Sequence, residues 1–283
     1  MKNTINNTVS NKNLGSTVNT GYNINKKRRQ KKRSIFKYKL KMFLFYFSVL
    51  LIFVGVGVFV SFTVLFKIDT INVNGETRYD KNEIIRLSGI KKGENLLTST
   101  TNKGEDTIKK SMPYIGSVVV TKKIPSEIII TVTESQPNVQ IENNGNYILV
   151  DSENKVMDLV PEPLDGVCIV TGLQINKYQA GFTIEFSDES KGQLLEYLLD
   201  ELEKCDIKNI KLIDLSNCMH ILLDFDNRIK IELGSPENID YKMKTASTVL
   251  NSELKQTDNG KLDVSLAAQD NKTYFIPDYL VSN

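Results

Sequence analysis

FKIDTINVNG, residues 66–75, decides how the rest of the chain is read. Directly before it, MFLFYFSVLLIFVGVGVFVSFTVLF (42–66) carries no charge, and eighteen of its twenty-five residues are Phe, Leu, Ile or Val. A helix of that length reaches roughly 37 Å at about 1.5 Å per residue, more than a hydrocarbon core of ~30 Å. The apolar core of a cleaved signal peptide is shorter, about 7–15 residues, and ends at a small-residue site. Here Ser61-Phe62-Thr63 is followed by more apolar residues, so 42–66 reads as an uncleaved transmembrane helix. Within the quoted stretch, Ile68, Ile71 and Val73 begin a strand pattern that stops at the turn Asn74-Gly75. Folding therefore resumes at Lys67, with almost no linker.

Charge divides the chain at the same place. Residues 1–66 hold twelve Lys or Arg and no Asp or Glu, which leaves 24 basic and 34 acidic residues beyond them. The overall charge of +2 thus hides a basic head and an acidic body of net −10. The run KKRRQKKRSIFKYKLK (26–41) adjoins the span, and basic residues beside a span stay cytoplasmic. Residues 67–283 are then expected outside the cytoplasm. The span accounts for the basic run, so no nucleic-acid role is assigned to it; attraction to the lipid bilayer is expected instead. Residues 1–25, rich in Asn and Thr, are expected to be a disordered cytoplasmic tail. Cys168, Cys205 and Cys218 lack C-x-x-C spacing and read as small buried hydrophobes.

Past the span the period alternates. YDKNEIIRLSGI (79–90) is helical, with Asp80 as cap, Glu83 placed to answer it and Gly89 as stop. KGEDTIKKSM (103–112) is a second helix, ended by Pro113. IGSVVVTKKI (115–124) and EIIITVTES (127–135) are strands, the latter with Ile128, Ile130 and Val132 on one face. The order β-α-α-β-β over 67–136 is an α+β module whose helices cover a small sheet. Four motifs then stand in order: F-x-I-x-x-I-x-V-x-G (66–75), E-I-x-x-x-S-G-I-x-x-G-x-N-L (83–96), Met112-Pro113-Tyr114, and P-S-x-I-x-I-x-V-x-E-x-x-P (125–137). With a basic tail and a lone span before them, they resemble the POTRA domain of the FtsQ/DivIB cell-division family.

Residues 137–283 read as a second, mixed β-rich domain with flanking helices. Asn143-Asn144-Gly145 joins VQIE to YILVD in a hairpin, and VMDLV follows. A leucine-faced helix is expected over 188–204, with Leu194, Leu195, Leu198, Leu199 and Leu202 on one side. Strands are expected at 208–215, 219–225 and 228–233, a helix at 237–253, and final strands at KLDVSLA (261–267) and TYFIP (273–277). The resemblance implies that this is the family's β domain.

No catalytic or phosphate-binding motif is present, and no metal-ligand spacing. His220 sits in MHILLDF as a structural or surface residue, and Asp224 and Asp226 mark a solvated strand end. No cofactor and no enzyme activity are expected, so function is sought in surfaces. An exposed sheet edge can receive a partner strand. The last strand supplies the candidates Tyr274, Phe275, Ile276 and Tyr279, and Pro277 suits an edge. The resemblance implies that the family's last strands bind coiled-coil division partners of the FtsL/DivIC (FtsB) type. That adds Val264 of the penultimate strand to the candidates. There the family's D-[LM]-R-Y is Asp263-Val264-Ser265-Leu266, so contacts made by the Arg and Tyr do not transfer. The implied role is a divisome scaffold and regulator at the division septum, in the plasma membrane, that helps place the septal peptidoglycan synthase complex. A POTRA-containing chaperone or transport component and a signal-anchored cell-wall hydrolase are the alternatives.

Overall fold

The computed structural model describes residues 17–270 and 272–280. It falls into two compact units, Met1–Phe66 and Lys67–Asn283. In the first, helix α1 (Thr17–Val60) continues through a π-helical turn, Ser61–Leu65. Ile35–Leu65 is long and apolar enough to cross a membrane. Of the expected disordered tail, residues 1–16 lie outside the described residues, whereas 17–25 are helical. Once the apolar segment has nucleated a helix, each further residue adds a hydrogen bond at little cost, so the helix runs on through the basic segment.

The second unit opens with β1 (Thr70–Asn74), α2 (Lys81–Ser88), α3 (Asn102–Ser111), β2 (Ile115–Lys123) and β3 (Glu127–Glu134). The sheet order is β1-β3-β2, with β1 parallel and β2 antiparallel to β3. Ile128, Ile130 and Val132 of β3 are buried with Ile84, Ile108, Met112 and Val118, while Thr131 and Thr133 face out. Local chemistry fixes α2. Asp80 Oδ1 accepts from the Asn82 amide at 3.0 Å, and Gly89 takes φ +69°, the left-handed stop. Glu83 departs from its expected capping role and pairs with Arg86 at 3.0 Å.

Glu134 ties the 77–78 turn to the end of β3. It accepts from the Arg78 amide at 2.6 Å and from Thr77 Oγ1 at 3.2 Å. The Arg78 backbone bond, followed by the Thr77 hydroxyl and the Arg78 charge, outweighs burial and holds its carboxyl below the ordinary Glu value. A depressed carboxylate stabilises the fold above its unfolded value and stops doing so as pH falls through the folded one. The Arg78 amide should therefore keep its exchange protection through the ordinary Glu range and lose it only at lower pH, read by NMR. Protection already lost within the ordinary Glu range would refute this anchor.

The remaining chain builds one nine-stranded mixed sheet on a larger core. Its first strands are β4 (Val139–Asn143), β5 (Asn146–Val150), β6 (Val156–Val160) and β7 (Cys168–Thr171). A small ribbon, β8 (Ile175–Lys177) and β9 (Glu185–Phe186), precedes α4 (Glu189–Lys204). β10 (Ile210–Asp214), β11 (Ile221–Phe225), β12 (Ile229–Gly234) and α5 (Ile239–Ser252) follow. β13 (Gly260–Asp263), α6 (Ala267–Asp270) and β14 (Tyr274–Pro277) complete it. The spatial order is β14-β13-β12-β11-β10-β7-β4-β5-β6. Asn144 and Gly145 both have positive φ, the two-residue hairpin geometry expected for that loop. Leu195, Leu198 and Leu202 of α4 and Met243, Ala246 and Leu250 of α5 pack over one face of this sheet.

Candidate functional site

The nine-stranded sheet has two edges, and among the described residues only one is covered. At the β6 edge, the Val156 amide donates to Phe182 O at 2.9 Å and Gly181 N donates to Val156 O at 2.8 Å, so residues 181–183 cap its start. The other edge is β14, which among the described residues pairs only with β13, through Lys261↔Ile276, Leu262↔Phe275 and Asp263↔Tyr274.

Alternation decides what β14 presents. The Asp278 amide donates to Asn259 O at 3.1 Å, so residues 274, 276 and 278 turn their peptide groups toward β13. Phe275 and Pro277 then turn theirs to the free side. Because proline has no N–H, the free side offers the Phe275 N–H, the Phe275 C=O and the Pro277 C=O. Side chains alternate in the same way. Phe275 packs against the core, whereas Tyr274 (52% exposed) and Ile276 (41%) project from the other face. Tyr279 follows in a 3-10 turn at 72% exposure.

The structure therefore brings four of the five candidates together, three as exposed side chains and Phe275 mainly as backbone. Val264 is the exception. It is 0% exposed and belongs to the core. The expected strand over 261–267 stops at Asp263, whose Oδ1 accepts from Ser265 N at 2.9 Å and from Ser265 Oγ at 2.7 Å. Val264 shares the face of Leu262, which is also fully buried, so strand alternation itself points it to the core, and its amide donates to Glu232 O at 3.0 Å.

Beside the edge lies a charged ladder. Ile276 faces Lys261, and Lys261 pairs with Glu232, which also meets His220 Nδ1 at 3.4 Å. The Glu232 carboxylate holds the Lys261 ammonium above its usual value. Sequence reasoning missed this ladder, because Glu232 and Lys261 become neighbours only through the parallel pairing of β12 with β13.

Nothing in these groups is arranged for bond chemistry. Among the described residues no cluster of His, Cys, Asp or Glu is arranged to hold a metal. Burial pushes the Cys168 thiol up to about 12, so it is no nucleophile at neutral pH. Asp226 sits in the β11–β12 turn, 3.6 Å from Arg228.

A second feature, the junction between the two sheets of this unit, also bears on function. Lys155 is buried, and its ammonium donates to Ile115 O of β2 at 2.7 Å and pairs with buried Asp151 at 3.3 Å. Asp151 Oδ1 accepts from the Glu153 and Lys155 amides, each at 3.0 Å. Tyr114 donates to Asp158 at 3.1 Å, with the Arg78 guanidinium 3.7 Å over its ring.

Comparison with known proteins agrees with this architecture. Residues 66–135 match the family described as "POTRA domain, FtsQ-type". The cell division protein FtsQ of Corynebacterium glutamicum is 27% identical over 199 residues, covering 68% of this chain and 82% of that protein. The cell division protein DivIB of Clostridium acetobutylicum is 28% identical over 202 residues, 71% of this chain and 80% of that protein. DivIB of Clostridium botulinum is 26% identical over 204 residues, 71% and 78% respectively. The chain carries an FtsQ-type POTRA domain and is similar to FtsQ and DivIB proteins along most of its length, as the ordered motifs implied.

Proposed function

We propose that this chain, an FtsQ/DivIB-like single-pass membrane protein, is a scaffold and regulator of the division machinery and catalyses no reaction of its own. The observation that carries the reading is the open β14 edge, in a chain similar in sequence to proteins named for cell division. In this reading 26–41 stays in the cytoplasm, 42–66 crosses the membrane, and the POTRA domain (67–136) and β domain (137–283) work outside. The partner is the extracytoplasmic part of an FtsL/DivIC (FtsB)-type coiled coil, added as a strand beside β14. Backbone groups supply affinity, and Tyr274, Ile276 and Tyr279 supply side-chain selection. Through that partner the protein places and controls septal peptidoglycan synthesis. The span confines both proteins to one membrane, which raises their effective concentration.

Depletion tests the role. Filaments with late septal arrest and the protein at septa are the expected outcome. Normal division on depletion would refute it. Loss of secreted proteins with normal septation would point instead to a chaperone or transport role.

A further inference from the structure

The second unit gathers an unusual surface around its own first residue. Ile68 is held by the 93–94 loop, its amide donating to Glu94 O at 2.8 Å and its carbonyl accepting from Gly93 N at 2.7 Å. The amides of Asp69 and Thr70 donate to Ser126 O at 2.9 and 3.3 Å, which brings the β2–β3 turn to the same end. Lys122 Nζ donates to Ser99 O at 2.6 Å and fastens the 97–99 segment beside that turn. β3 leads away from this rim toward the junction with the larger sheet.

Two properties of the rim stand out. At its tip Ile124 is 71% exposed, more than any other described Ile, Leu, Val or Met beyond residue 66, and Leu97 beside it is exposed. Lys67, Lys91, Lys92, Lys122 and Lys123 outnumber Asp69, Glu94 and Glu127 here, in a body whose net charge is −10. Lys91, Lys92 and Lys123 are exposed, while Lys122 is spent on backbone carbonyls. An apolar tip among lysines fits an apolar boundary lined with negative charge. The covalent chain supplies such a boundary: Phe66 alone separates Lys67 from the apolar helix, at most about 3.6 Å of reach per residue.

We propose that this rim rests on the anionic headgroup layer of the membrane that the apolar helix crosses. Ile124 enters the interface, and Lys91, Lys92 and Lys123 lie against lipid phosphates. The proposal presupposes the span and not the division role. It treats the near absence of a linker as part of a second, peripheral membrane contact.

The chain contains no Trp, so Ile124→Trp makes a single-source reporter in the full-length protein. In nanodiscs of phosphatidylcholine with phosphatidylglycerol, its emission should be blue-shifted, quenched by lipids brominated high on the acyl chain, and shielded from aqueous iodide. Adding K91Q, K92Q and K123Q, or omitting phosphatidylglycerol, should cut the bromolipid-quenched fraction at least about threefold. Leu97→Trp gives a second reporter should the first variant fold poorly, and the melting temperature checks each. Iodide-accessible, red-shifted emission in both lipid mixtures would overturn the proposal. A blue shift without bromolipid quenching would also overturn it, because a protein surface would then cover the tip.

Discussion

Lys155→Ala should cost the Lys67–Asn283 unit about 3 kcal/mol, because it leaves one member of a buried ion pair behind. Asp151 is buried, and Lys155 is its ion-pair partner. The two backbone amides on its Oδ1 remain, but they do not cancel the charge. The same ammonium also leaves Ile115 O, so a second buried polar group loses its donor. Urea denaturation should show a midpoint about 1 M lower. A control separates charge from packing. Lys155→Met combined with Asp151→Asn keeps the stem and removes both charges, while an amide oxygen still accepts from the backbone. That double variant should regain part of the loss. A loss in Lys155→Ala below about 1 kcal/mol would place the pair among weak surface bridges and remove the lock between the two sheets.

Ile276→Asp should leave the unit folded and weaken capture of the proposed coiled-coil partner about tenfold or more, equivalent to ~1.4 kcal/mol. The side chain is exposed and faces Lys261 across the ladder, so the new carboxylate meets a cation already in place. An arriving strand, by contrast, would have to desolvate that carboxylate beside its own side chains. Phe275→Asp is a different experiment, since Phe275 packs on the core and its loss should unfold the edge itself. Pull-down with the full chain reads the binding, and circular dichroism reads the fold. Undiminished capture by a folded Ile276→Asp protein would rule out this edge as the partner site.

How much of this the sequence carried depends on the range of the forces involved. The helix from Lys81 to Ser88 was legible because Asp80 and Gly89 act within one turn of it. The hairpin at Asn144-Gly145 was legible for the same reason. β7 was not found: it is four residues long, and its partners on β4 and β10 lie far away in sequence. Its insertion between those strands, which sets the sheet order, leaves no local trace. At the candidate site, Tyr274, Ile276 and Tyr279 were readable as large side chains with nothing nearby in sequence to cover them. Val264 came from the resemblance alone, whereas alternation from buried Leu262 places it on the core face. The start of the first helix at Thr17 misled because composition does not record that a helix already exists downstream.

The order of the large sheet also sets a mechanical path. β14 forms one border and β6, which starts beside the Lys155 lock, forms the other. With neighbouring strands about 4.8 Å apart, the two borders lie nearly 40 Å from each other across the sheet. Tension applied at β14 crosses the ladders as far as β4 before it reaches β3 of the POTRA domain through residues 135–138. The β domain is thus a crossbeam rather than a pendant, and a pull on its far side reaches the POTRA domain only across most of the sheet.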